Sequence, residues 1–280
     1  MALPAILLFI MFFLYPLSQG IWLSMTSWDG FSKEIEFIGL ANFSRFFSDK
    51  RAIEAVSHTL HYGLIVPVGM NILGLLYALL LDQKLKGKNV ARVIVYLPAI
   101  VSPLIIGYIW KLVLRTDGGA LKDIMTFLGM GSLFRGWLSY PKDAMWVLII
   151  INIWQHVGGV MIIYLAGLQS IPQELYEVST IDGANYWQNL RNITMPLLIP
   201  AIKINVITNL IGSLAVYDSV VALTEGGPGY ATESISLLIY RLSYGAHTGY
   251  ATAISLILLV IIMIPTLAIF SLLTRRNVEM

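Results

Sequence analysis

Charge is what this chain has least of. Lys, Arg, Asp and Glu make up 12% of its 280 residues, against about 25% in an ordinary globular protein. Soluble folding does not explain such a deficit, so lipid is the expected solvent. The formal net charge is only +2, which argues against nucleic acid as a partner. Cysteine is absent, which excludes a disulfide framework and any thiolate metal site. Of the histidines, His58 and His61 are three apart, but no third ligand lies near them, so no metal is expected. No Gly-x-x-x-x-Gly-Lys-Ser/Thr phosphate loop occurs; Lys86-Gly87-Lys88 lacks its frame. ATP-driven work would need a nucleotide bound on another chain. Acids are nearly missing at mid-span depth, where an ion-coupled secondary transporter needs them. No Ser-His pair, carboxylate pair or metal-ligand set converges within a span, so an enzyme is not expected.

Apolar residues are what the chain does have: 57% of the total, with a mean hydropathy of +0.76. Six runs approach the roughly 20 residues that a membrane helix needs, at about 2–24, 59–81, 92–113, 144–168, 197–221 and 250–273. Backbone groups in lipid must be satisfied internally, so these runs are expected to be helices. Pro67, Pro98, Pro103 and Pro265 fall inside them as candidate kinks. The expected fold is all-α, a six-transmembrane-helix bundle forming a single domain over 1–280. No basic n-region precedes the first run, which argues against a cleaved signal peptide; the missing basic flank suggests a short tail ahead of Met1. Lys84, Lys86, Lys88 and Arg92 crowd one short connection, and Arg275 and Arg276 follow the last run. The basic residues of the longer loops are matched by acids. Short loops and span ends carry most weight in orientation, so both termini are expected to be cytoplasmic.

Between the fourth and fifth runs lies a polar island, 169–196. Ser170 and Gln173 fit a capping box, with Pro172 in the first turn. Leu175, Val178 and Ile181 form a stripe at helical spacing. Asp182-Gly183 signals a stop. A second short helix is expected over about Tyr186–Asn192, ended by Met195-Pro196. The alternative is an amphipathic helix lying on the membrane, but such helices carry basic polar faces. Glu174, Glu177 and Asp182 would be repelled by anionic lipid. A protruding elbow that docks on a protein is the expectation.

Two spans flanking the island carry polar stripes. In the fourth, Asn152, Gln155, His156 and Gly159 share a face; in the fifth, Asn205, Thr208, Asn209, Gly212 and Ser213 do. Polar groups at membrane depth face a cavity or a partner helix. Neutral amides and hydroxyls match sugar hydroxyls, and Trp154 and Tyr217 are candidates for stacking on a sugar face. Helix packing explains small and polar residues equally well, so both readings stand at this level.

Glu177, then Gly183, then Ile193 and Pro196 have the spacing of the EAA signature, and the chain resembles the permease subunits of binding-protein-dependent ABC importers. It departs from the signature at Val178, Ser179 and Met195. The run Gln169-Ser170-Ile171-Pro172 with Leu175-Tyr176-Glu177 and Asp182-Gly183-Ala184 resembles the carbohydrate branch, the maltose-permease-like subunits. So do Phe37–Phe43, Leu97-Pro98, Trp110, Leu223–Pro228, Tyr240 and Gly249-Tyr250-Ala251. The resemblance implies a type I permease fold in a bacterial cell membrane. It implies that Glu177, Asp182, Gly183 and Ala184 form a coupling elbow seated on a cytoplasmic ATPase dimer, which binds ATP and magnesium while this chain holds no cofactor. It implies a second homologous permease subunit and an extracellular or periplasmic solute-binding protein that delivers a sugar or oligosaccharide. By the same resemblance, sugar contacts fall on Asn152, Gln155, His156, Gly159, Asn209, Gly212, Ser213 and Val216, of which only Asn152 keeps the family residue.

Overall fold

In the computed structural model, residues 3–83 and 86–274 are described. Lys84, Arg275 and Arg276, on which the orientation argument leans, lie outside them. The described chain is helical, with one lone antiparallel bridge between Thr26 and Phe37. Helix α1 (Leu3–Ser24) contains a π-turn at Ile10–Leu14. A short α2 (Ala41–Ser48) precedes α3 (Lys50–Asp82). Next come α4 (Lys88–Ile100), α5 (Pro103–Val113), α6 (Ala120–Phe127) and α7 (Pro141–Gln169). The island forms α8 (Gln173–Ile181) and α9 (Tyr186–Leu197). The chain continues with α10 (Ile199–Leu214), α11 (Asp218–Leu223), α12 (Ile235–Tyr244) and α13 (Thr248–Thr274).

Four of these, α1, α3, α7 and α13, are long and apolar enough to cross a membrane, and the number is six if the bent pairs α4–α5 and α9–α10 each count as one span. The run at 92–113 is thus not one straight helix. It breaks at Val101-Ser102 and turns by 95°, because Pro103 starts a new helix and forces the residue before it out of the helical region. Gln155 Nε2 donates to the Val101 carbonyl at 3.0 Å, satisfying a group that the break sets free. The expected start at 59 is also too late. Asp49 accepts from the backbone N–H of Arg51 and Ala52, and this cap carries the helix outward to Lys50 despite its polar residues. The run at 197–221 ends early: α10 stops at Leu214, and Tyr217 and Asp218 open a separate short helix.

The core forms where α3 packs along α7 and α10 and α4 crosses α7. Tyr62, Val66 and Met70 of α3 meet Leu148, Ile149, Met161 and Tyr164 of α7 in one buried cluster. Gly158 makes the α4–α7 crossing possible. A Cβ there would lie 2.3 Å from the Val95 carbonyl oxygen and 2.6 Å from Tyr96 Cα. A polar pair ties α3 to α7: the Tyr164 hydroxyl donates to Asn71 Oδ1 at 2.5 Å. A second cluster, including Phe46, Ile235, Leu238, Tyr250 and Ile254, joins α2 and α12 to the start of α13. Helix α1 contributes almost nothing to either core; its apolar side chains are exposed from Leu3 to Tyr15.

Candidate functional site

Helices α7 and α10 flank the island in sequence, and their polar residues meet at a cavity of about 260 Å³. Asn152 and His156 of α7 line one wall. Thr208, Asn209, Gly212 and Ser213 of α10 line the other, with Val216, Tyr217, Asp218 and Ser219 at one end. The 3–4 residue spacing along each helix makes these side chains share a face. Asn152 is buried and donates through Nδ2 to Ser219 Oγ at 2.9 Å, which leaves its Oδ1 unbonded among the described residues. The His156 ring donates through Nδ1 to the Asn152 carbonyl oxygen at 3.1 Å. Asn209 Nδ2 is buried with no hydrogen-bond partner, an expensive state for an amide donor. A side chain built on Gly212 would meet nothing within 4 Å, so the cavity is open there.

The structure does not bring the other expected residues to this cavity. Gln155 is fully buried and holds the α4–α5 break. Gly159 lies one turn further along α7, outside the lining. Trp154 points to the opposite side of α7, where it meets Trp110 edge to face at 5.6 Å. Asn205 serves packing, donating to the Val160 carbonyl at 3.2 Å. Among the described residues no cluster of three candidate metal ligands exists, and His61 packs edge to face on Trp146.

The island folds as an elbow, with local details that differ from the sequence reading. Ser170 does not cap α8. It still ends α7 in helical geometry, and its hydroxyl donates back to the Gly167 carbonyl at 2.8 Å, while Pro172 takes the position ahead of α8. The capping box sits one helix later. Asn185 Oδ1 accepts from Gln188 N at 3.0 Å, and Gln188 Oε1 accepts from Asn185 N at 2.7 Å. Gly183, at φ +78°, supplies the left-handed turn between the helices, which other residues adopt at a cost. Nor does α9 end at Met195-Pro196. A π-turn over Leu190–Thr194 widens the helix ahead of Pro196, and the chain bends by 64° only at Leu198. Tyr176 faces inward and its hydroxyl lies 2.9 Å from Thr194 Oγ1, tying the two elbow helices together. Glu177 and Asp182 are exposed, and Ala184 is half-buried. The stripe is exposed as well: Leu175, Val178, Ile181 and Trp187 all point outward.

Sequence reasoning missed the buried carboxylate of Glu233. It accepts from Arg51 Nε and Nη2, both at 2.7 Å, and from Arg241 Nη1. The Tyr230 ring lies under the Arg51 guanidinium at 4.0 Å. These residues fasten the start of α3 to the segment leading into α12. Arg51 is 182 residues from Glu233 in sequence, so no local pattern announces that pair. Nearby, Lys111 Nζ reaches Glu225 Oε1 at 2.5 Å, and this ammonium holds the Glu225 carboxyl below the usual carboxylate range.

The profile of the family described as binding-protein-dependent transport system inner membrane component matches residues 70–277. The chain is 35% identical over 280 residues to a probable starch degradation products transport system permease protein of Thermoanaerobacterium thermosulfurigenes, covering 99% of this chain and 94% of the relative. It is 34% identical over 263 residues to the trehalose/maltose transport system permease protein of Thermococcus litoralis, covering 94% and 88%. A crystal structure of a bacterial ABC transporter involved in the import of the acidic polysaccharide alginate contains a chain that superposes with a TM-score of 0.84 at 28% identity, covering 98% of this chain and 93% of that one.

Proposed function

The chain belongs to the binding-protein-dependent transport system inner membrane components and has the type I ABC importer permease fold, and from that premise we propose that it carries a sugar or oligosaccharide across a bacterial cell membrane as one half of an ATP-driven importer. One observation carries this reading. The exposed elbow joins the two helices, α7 and α10, whose polar faces form the cavity. Any displacement of the elbow therefore moves both walls. Within the elbow, the Tyr176–Thr194 bond and the capping box keep α8 and α9 in register, so that a push on α8 reaches the bend at Leu198.

In this scheme Glu177 and the outward apolar residues Leu175, Val178, Ile181 and Trp187 seat in a cytoplasmic ATPase dimer. That partner binds ATP and magnesium; this chain holds no cofactor and performs no chemistry. Both termini are cytoplasmic. A second homologous permease closes the open side of the cavity, and an external solute-binding protein delivers the cargo. Cargo hydroxyls pair with the free Asn152 Oδ1, the unpartnered Asn209 Nδ2, His156 and Ser213. The relatives named for starch degradation products and for trehalose and maltose support saccharide cargo.

The test is uptake of labelled sugar into proteoliposomes holding the whole assembly. Uptake is expected to need ATP, the binding protein and Glu177. Uptake by this chain alone, driven by an ion gradient, would overturn the proposal in favour of secondary transport.

A further inference from the structure

A ladder of tyrosine rings leads away from the cavity. Tyr217 lines the cavity's end. Its ring centroid lies 5.4 Å from that of Tyr240, at an interplanar angle of 52°. Tyr240 in turn lies 4.7 Å from Tyr244, at 42°. Tyr240 and Tyr244 are one helical turn apart on α12, so they share a face. Exposure rises along the series: Tyr240 is 45% exposed and Tyr244 is 74% exposed. Core packing gives no reason to extend a row of rings in contact to a residue that open.

We propose that Tyr217, Tyr240 and Tyr244 form a stacking track along which a saccharide chain passes from the outer surface to the cavity. The proposal rests on the importer reading above, including its orientation. Pyranose rings present C–H faces that lie flat on aromatic rings while their hydroxyls stay at the edges in water. Tyrosine suits this use, having an apolar face and a polar tip. Charge along the route agrees with an uncharged cargo. Among the described residues no Lys or Arg lines the cavity, and Asp218 stands beside Tyr217. Arg241, next to Tyr240 in sequence, is occupied by Glu233 and by the Glu225 carbonyl oxygen. A uronate-bearing chain would find no counter-charge among the described residues that line the cavity.

The experiment measures uptake by the complete assembly in proteoliposomes, with binding-protein-stimulated ATP hydrolysis read in parallel. A panel of neutral oligosaccharides (maltotriose, cellotriose, raffinose) supplies the probe, taken as the one that the wild-type assembly imports fastest. At subsaturating loaded binding protein, Tyr244→Ala and Tyr244→Leu are each expected to slow uptake by about three- to tenfold, the loss of one aromatic contact. Tyr244→Trp is expected to keep the wild-type rate, and stimulated hydrolysis should be unchanged in all three. Because Tyr244 is so exposed, these variants lose little packing. Wild-type uptake in Tyr244→Ala, or uptake by Tyr244→Leu equal to that of Tyr244→Trp, would refute the track while leaving the importer reading intact; the latter result would mark the residue as an apolar membrane anchor. A wild-type assembly that hydrolyses ATP under binding-protein stimulation yet imports none of the panel would overturn the sugar reading and the track with it.

Discussion

Replacing Glu233 with Gln should loosen the end of the bundle where α3 begins, without touching the cavity. The carboxylate is 1% exposed and receives three charge-assisted bonds, two from Arg51 and one from Arg241. Removing one partner of a fully buried ion pair costs about 3–5 kcal/mol. Here the arginine side chains are 37% and 33% exposed, so water recovers part of their solvation. Glutamine keeps one acceptor oxygen, but its NH2 group would face a guanidinium, donor against donor. Together these reduce the expected loss to about 2–3 kcal/mol. Equilibrium unfolding of the purified subunit in mixed micelles, by titration with denaturing detergent, measures it. The loss should persist at high salt, because a buried contact is poorly screened. A double-mutant cycle with Arg241→Gln should give a coupling of about 1 kcal/mol or more. A Glu233→Gln variant within about 0.5 kcal/mol of wild type, or a loss that vanishes with salt, would mean that the cluster behaves as an ordinary surface ion pair.

Glu177→Ala should abolish uptake and binding-protein-stimulated ATP hydrolysis while changing stability by less than about 0.5 kcal/mol, because Glu177 is exposed; co-purification with the ATPase and a melting curve test this together. Asn152→Ala should lower uptake by about fivefold, the worth of one hydrogen bond to cargo, with ATPase association retained; an unchanged rate would remove Asn152 from the cavity's working groups. Gly158→Ala should cost about 1–3 kcal/mol, read by the same unfolding titration, since both atoms nearest the added methyl are backbone. Gly183→Val should weaken coupling more than folding, because a β-branched residue at φ +78° distorts the turn between the elbow helices; the ratio of sugar imported to ATP hydrolysed is the readout.

The spanning helices and the elbow were legible in the sequence; the breaks and caps within them were not. Apolar runs located the spanning helices because lipid imposes length and composition on each segment separately. The elbow was legible because Gly183 and the acids on α8 are local signals. What hydropathy could not show was the 95° break at Val101-Ser102, since Pro67 and Pro265 sit inside helices that continue past them. A proline breaks a spanning helix only where other groups take up the freed backbone, and Gln155 does so from a different helix. The cap of α8 was misplaced for a related reason. Ser170 and Gln173 have the right spacing, but α7 holds Ser170 until its last turn. Helical spacing put Gln155 and Asn152 on one face, yet a face wide enough for both borders two different neighbours.

That division of labour on α7 bears on how such a permease can change its cargo. Asn152 is tied to Ser219, and Gln155 seals the helix break, so mutations on this wall are tested first for folding. Across the cavity, Gly212 faces open space and Asn209 Nδ2 holds no bond. New side chains can be tried there without undoing an existing contact. Evolution therefore has a fixed wall and a free one, and divergence in specificity among descendants of this chain should accumulate on α10, around Asn209, Gly212 and Ser213, long before it reaches α7.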